Sequence, residues 1–115
     1  MIRVNPKVPL DLWLAVGICY YKLGNITKAR FAIEHVVENE AQNAFAVTCL
    51  AVIEQQLNPS SEEQRVKALT LLHKSFDLDD TNPLTMKYLA NHYFFQGDLS
   101  VAQQLCERAL HYLNL

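Results

Sequence analysis

Apolar side chains recur along this chain with the period of amphipathic helices. They follow one another at intervals of three, four and seven residues, and polar residues fill many of the positions between them. This period puts the apolar side chains on one face of a helix. No segment shows the alternation that is typical of a half-buried strand. The pattern predicts six helices, over residues 10–23, 26–39, 44–57, 61–77, 83–96 and 99–113.

Residues that favour helix starts precede several of these segments. Asn25, Asn82 and Asp98 stand at N-cap positions, where a side-chain oxygen accepts a hydrogen bond from a backbone N–H of the first turn. Pro83 follows in the first turn of its helix, where its missing N–H costs nothing. For the fourth helix the sequence offers two overlapping capping boxes, Ser60 with Glu63 and Ser61 with Gln64.

Glycines mark two of the turns within the predicted helix pairs. Gly24 and Gly97 follow the first and fifth helices, where glycine takes a positive φ without strain. Asn58 stands at the corresponding place after the third helix, and we expect it to substitute for glycine there. Pro59 then prevents the helix from continuing.

Small residues reveal an internal repeat. Gly17 and Ala51 are 34 residues apart, as are Ala68 and Ala102, which matches a known helix-turn-helix period. In the middle of the chain about five extra residues enlarge one turn. Small side chains let two antiparallel helices approach closely. The repeat divides the chain into a lead-in (residues 1–9) and three helical hairpins: unit 1 (10–43), unit 2 with the enlarged turn (44–82) and unit 3 (83–115).

The residues at corresponding positions of these units resemble tetratricopeptide repeats over residues 10–115. The resemblance implies an all-α fold, an α-solenoid of three antiparallel helix-turn-helix units in a right-handed α-α superhelix. It also implies a scaffold that binds other proteins and is not an enzyme. The middle unit departs from the family pattern at Glu54, which replaces the usual aromatic, and at Ser75, which replaces the usual small residue. The matching residues are Trp13, Gly17, Tyr20, Gly24 and Ala29 in unit 1, and Ala90, Tyr93, Gly97, Ala102 and Ala109 in unit 3.

Two stretches are similar to a narrower family, the large repeat-containing scaffold subunits of the Paf complex, which travels with RNA polymerase II during transcription elongation. They are residues 17–24 with Lys28-Ala29-Arg30, and the Leu-Ala-Asn-His-aromatic segment at residues 89–95. The enlarged turn at residues 58–67 falls where that family also has a longer turn. The resemblance implies a nuclear protein whose partners are other Paf complex subunits and, indirectly, RNA polymerase II. Without it, the cytoplasm is the simplest location.

The first helix of each unit supplies the candidate binding site. In a solenoid these helices line the concave groove, and the side chains that face inward recur at fixed offsets from the first small residue. We expect an apolar groove with aromatic edges, suited to a helix or an extended segment of a partner protein. Packing against missing neighbours of the chain is the alternative. The predicted groove residues are Leu14, Ile18, Tyr21, Phe45, Thr48, Val52, Gln55, Leu84, Lys87, Asn91 and Phe94.

A second class of function is a chaperone adaptor or another cytoplasmic scaffold that binds partner peptides. Lys87 and Asn91, four residues apart on one face, resemble half of the clamp with which chaperone-binding repeats hold a C-terminal carboxylate. The other half is expected from following units, whereas unit 1 has Leu14 and Ile18 at the corresponding positions. An ordinary helix surface is therefore the favoured interpretation of this pair.

The composition of the chain argues against several other classes of function. Ten Lys and Arg against twelve Asp and Glu give a net charge of −2, and the basic residues are scattered, so no direct nucleic-acid contact is indicated. No apolar run reaches the ~18 residues of a membrane span. The three cysteines lie far apart at apolar columns, which favours small core residues over a disulfide or a metal site. The histidines show no ligand spacing, and we expect no cofactor.

The last predicted helix carries more apolar surface than one neighbouring helix can cover. Solenoids normally end in a polar cap. We therefore expect the chain to be a fragment, with self-association through the exposed ends of the array as a further possibility. The residues concerned are Leu99, Leu105, Leu110, Tyr112, Leu113 and Leu115.

Overall fold

The computed structural model describes residues 9–113 of the chain. The lead-in before Pro9, together with Asn114 and Leu115, lies outside the described residues. Six helices occupy the described part, each within about one residue of the prediction at either end, and no strand occurs among these residues. They are α1 (Leu10–Lys22), α2 (Ile26–Asn39), α3 (Ala44–Leu57), α4 (Glu62–Leu78), α5 (Pro83–Phe95) and α6 (Leu99–Tyr112).

Consecutive helices pack as hairpins, and the hairpins stack in chain order. The closest pairs are α1 with α2, α3 with α4, and α5 with α6, while α2 packs on α3 and α4 on α5. Short connections of this kind join antiparallel neighbours. The fold is the all-α solenoid that the sequence predicts, and the first helices of the three hairpins lie side by side along one face.

The small residues of the repeat are buried where the two helices of a pair meet. Gly17 on α1 lies very close to α2, because a Cβ placed there would lie 2.6 Å from Ile33 Cδ1. Any side chain at this position would therefore require the Ile33 side chain to shift. The other small positions are also almost fully buried: Ala29, Ala51, Ala68, Ala90 and Ala102.

The helix ends follow the predicted signals in most places. Asn25, Asn82 and Asp98 each accept a backbone hydrogen bond as N-caps. Ser61 is the residue that caps α4, because its hydroxyl oxygen accepts a hydrogen bond from the backbone N–H of Gln64. The side-chain oxygen Oε1 of Gln64 has no hydrogen-bond partner, so the reciprocal bond of the capping box is not formed.

The glycine turns are as predicted, and the asparagine turn is not. Gly24 and Gly97 have φ values of 83° and 85°. Asn58 instead has a φ of −151°, so it does not adopt the left-handed conformation of the two glycines. The connection from α3 to α4 is four residues long, only one more than the two glycine turns, and α4 has 17 residues where α2 and α6 have 14. The extra residues of unit 2 therefore mostly lengthen α4, and the prediction that they enlarge the turn is wrong.

Glu54, which stands where the family pattern has an aromatic, forms a buried ionic contact in the middle hairpin. Its side chain is 0% exposed, with Oε1 2.8 Å from Arg30 Nε on α2 and Oε2 3.4 Å from Lys67 Nζ on α4. The Arg30 N–H is directed at Glu34 Oε1, 2.9 Å away, so Arg30 acts on Glu54 as a nearby charge rather than through an aligned hydrogen bond. Glu54 thereby links three consecutive helices.

Candidate functional site

Five of the predicted groove residues meet in one apolar pocket on the side of the first helices. Ile18 and Tyr21 come from α1, Phe45 and Val52 from α3, and Leu84 from α5. The pocket has a volume of about 230 Å³. Its position follows from the repeat, since equivalent faces of three stacked hairpins point to the same side.

Cys49 and Tyr21, which line this apolar pocket, are uncharged at neutral pH. Burial raises the pKa of the Cys49 thiol to about 11. Burial also raises the pKa of Tyr21, and the neighbouring Tyr88 and Cys49 oppose a second negative charge there. Lys22 is the one charged residue in the lining. The pocket therefore suits an apolar side chain rather than an ionic group.

Two further groove residues, Gln55 and Asn91, lie in a different cavity. This is an open cleft of about 550 Å³ between α4 and α5, next to the connection between α3 and α4. Tyr88 lines both the apolar pocket and the cleft, so the two cavities adjoin. The groove expected from the sequence is thus divided into an apolar part and an amide-rich part.

Thr48 was predicted to line the groove, and the structure shows that this is wrong. Its side chain is 0% exposed. Its hydroxyl is hydrogen-bonded to those of Ser75 and Thr85, 2.8 Å away in the latter case, and Ser75 also donates to the Ala44 carbonyl. Burying these hydroxyls is favourable only while they bond to one another. Thr48 therefore joins α3 to α4 and α5 and is not available to a partner.

The other predicted groove residues lie at the edges of these cavities or away from them. Leu14 is half-buried and packs against two clusters of the core, one around Trp13 and one around Ile33. Lys87 is exposed, with its ammonium 5.5 Å from the centre of the Tyr88 ring. Phe94 is 58% exposed and packs edge-on against Phe95. None of the three lines either cavity.

Tyr88 and Cys49 are two of the lining residues that the fixed offsets along the first helices do not predict. Both stand two residues before the first small residue of their unit, a column that was not assigned to the groove. Residues three apart on a helix share a face, so Cys49 is a neighbour of Val52, and Tyr88 of Asn91. That spacing is the signal that could have identified them.

The three cysteines lie in different environments. Cys19 and Cys106 are exposed, so the prediction that they are core residues is wrong, whereas Cys49 is half-buried. Within residues 9–113, no group of His, Cys, Asp and Glu is placed to hold a metal ion. No helix in the described part of the chain is both long and apolar enough to cross a membrane.

Comparison with known proteins finds relatives that are named CTR9. The chain is 33% identical over 109 residues, 95% of its length, to the protein CTR9 homolog of Arabidopsis thaliana. It is 32% identical over 102 residues, 89% of its length, to the RNA polymerase-associated protein CTR9 of Caenorhabditis elegans. The chain spans about a tenth of the length of these two relatives. No family model matches it.

Proposed function

This chain is homologous to a segment of the CTR9 proteins, and on that premise we propose that it is a protein-binding scaffold segment of a Paf-type subunit in RNA polymerase II transcription elongation. The homology extends over nearly the whole chain. It agrees with the resemblance to Paf complex scaffold subunits, which rests on residues 17–24 and 89–95. The partners under this proposal are other subunits of the complex and, indirectly, RNA polymerase II. The location is the nucleus.

The apolar pocket is the observation that supports partner binding by this part of the chain. A pocket lined by Ile18, Tyr21, Phe45, Val52 and Leu84 can bury an apolar anchor of a partner segment. Buried anchors of this kind contribute most of the binding energy of protein interfaces, and aromatic residues are frequent among them. The division into a lead-in (1–9) and three repeat units (10–43, 44–82 and 83–115) belongs to the same proposal.

A non-enzymatic role fits the chemistry of the pocket. A thiol whose pKa is about 11 is almost entirely protonated at neutral pH, and the protonated form is a weak nucleophile. The raised pKa of Tyr21 likewise keeps its phenol protonated. Neither group is prepared for nucleophilic or acid–base catalysis near pH 7.

The chaperone-adaptor alternative is less favoured. A carboxylate clamp needs Lys87 and Asn91 to face one ligand. Asn91 lines the cleft between α4 and α5, whereas Lys87 lies outside the lining of both cavities and extends over the Tyr88 ring. The apolar pocket has no role in such a clamp.

Affinity purification of the tagged parent protein from its native source, followed by mass spectrometry, tests the proposal. We expect subunits of the elongation complex to co-purify in comparable amounts. Co-purification of chaperones without these subunits would contradict the proposal and support the adaptor function. A parent protein with Phe45→Asp, which places a charge in the apolar pocket, should retain fewer partners than one with Val66→Asp, at an exposed residue outside both cavities.

A further inference from the structure

The cleft between α4 and α5 differs in chemistry from the apolar pocket beside it. Its walls combine amide side chains with one guanidinium and one imidazole, and no carboxylate is among the lining residues. The apolar part of the cleft wall is formed by Leu69 and Leu72 of α4 and by Phe95. The amide groups belong to Gln55, Gln56, Asn91 and Gln96, and the two basic groups to Arg65 and His92.

The repeat itself shows that this cleft replaces ordinary core packing. At the junction of α2 and α3, Ile53 is buried and Ile26 packs against its cluster. Counted from the small residues of their own helices, the corresponding positions at the junction of α4 and α5 are Arg65 for Ile26 and His92 for Ile53. Both Arg65 and His92 line the cleft. The first junction is closed by an apolar pair, while the second is open and lined by an arginine and a histidine.

The two basic side chains have unused binding capacity. Arg65 takes part in none of the salt bridges found among residues 9–113. The Nε2 atom of His92 is shielded from solvent and has no hydrogen-bond partner. Burial, with smaller contributions from His73 and Arg65, lowers the pKa of His92, so its imidazole is neutral at pH 7. A buried polar atom without a partner costs free energy that a bound ligand can recover.

We propose that the cleft between α4 and α5 is a second binding site, which takes an acidic segment of a partner polypeptide. The Arg65 guanidinium pairs with a carboxylate of that segment, since guanidinium and carboxylate match in geometry and charge. The amide side chains and the His92 imidazole hydrogen-bond the peptide backbone around it. A polyanion such as RNA is not favoured, because one arginine among amides provides little of the charge that phosphate backbones require.

This site is independent of the identity of the partner in the apolar pocket. The two cavities share only Tyr88, and their remaining lining residues differ. The cleft is therefore testable with a synthetic peptide and without any subunit of the elongation complex. Failure at the cleft and failure of the proposed function are distinguishable.

The probe is a blocked peptide of glutamate and leucine, compared with the same peptide in which every glutamate is glutamine. Titration into the isotope-labelled chain, followed by NMR, should shift the side-chain amide signals of Gln55, Asn91 and Gln96. We expect the glutamate peptide to bind at least tenfold more tightly, because a charged pair is lost in the glutamine peptide. Equal binding of both peptides, binding of neither, or tighter binding of an oligouridylate would overturn the proposal.

The double variant Arg65→Ile, His92→Ile separates binding from folding. It restores at the second junction the residue pair of the first, so we expect its melting temperature to rise by a few degrees while the difference between the two peptides disappears. Lys74→Ile is the matched control, because Lys74 is an exposed cation of α4 outside the cleft lining and should leave the binding unchanged. A double variant that is stable and still prefers the glutamate peptide would refute the assignment.

Discussion

At the scale of single residues, the contact between Gly17 and Ile33 sets the distance between the first two helices. A Cβ at Gly17 would lie 2.6 Å from one carbon of the Ile33 side chain and 2.8 Å from another. Gly17→Leu should therefore lower the free energy of unfolding by ~1–3 kcal/mol or more, as overpacking of a buried site does. Urea denaturation measures the effect. Ala15→Leu, on the exposed side of the same helix, is the control and should stay within ~0.5 kcal/mol of wild type. Equal losses would show that the faces of α1 are misassigned.

Cys49 provides a residue-scale test of the apolar pocket. Because its pKa is raised to about 11, the reactive thiolate is a small fraction at pH 8 and increases about tenfold per pH unit up to the pKa. Alkylation at pH 8, followed by peptide mass spectrometry, should modify Cys49 roughly a hundredfold more slowly than an ordinary exposed thiol. Cys19 and Cys106 are exposed and serve as internal controls. Alkylation of all three cysteines at the same rate would contradict the burial of Cys49 in the apolar pocket.

At the scale of helices, Glu54 links α2, α3 and α4 through one buried carboxylate. Arg30→Met would leave that carboxylate with the more distant Lys67 alone, so we expect a loss of ~1–3 kcal/mol in unfolding free energy. Glu34→Gln removes the other, more exposed partner of Arg30 and should cost less than ~0.5 kcal/mol. Chemical denaturation of both variants provides the comparison. If Glu34→Gln costs as much as Arg30→Met, the buried contact does not hold the three helices together.

The helices were predictable because their signals are local. Caps such as Asn25 and Asp98 and the positive-φ Gly24 act within one turn of the chain, so spacing alone locates the helix ends. The groove was only partly predictable, because fixed offsets assume that every hairpin junction is packed alike. Thr48 is buried because its hydroxyl bonds to hydroxyls on α4 and α5. Its own helix, α3, contains no sequence signal for these partners.

At the scale of the whole molecule, the outer face of α6 leaves large apolar side chains exposed. Leu99, Leu110 and Leu113 are 58%, 47% and 52% exposed. We expect the chain to self-associate through this face as its concentration rises, since burying such surface is favourable. Sedimentation velocity of Leu110→Lys should show a more monomeric species than wild type, whereas Leu12→Lys, at an exposed leucine of α1, should not. A wild-type chain that stays monomeric at high concentration would contradict this expectation.

The central claim is that the apolar pocket between α1, α3 and α5 binds a partner protein. Isothermal titration of the co-purifying subunit into wild type and pocket variants is the most direct measurement. We predict that Tyr21→Ala weakens binding by ~1–3 kcal/mol, that Val52→Asp abolishes it, and that rising salt has little effect. Val66→Asp, at an exposed valine outside both cavities, should bind like wild type. If folded Val52→Asp and Tyr21→Ala bind the partner as tightly as wild type does, the pocket is not the binding site.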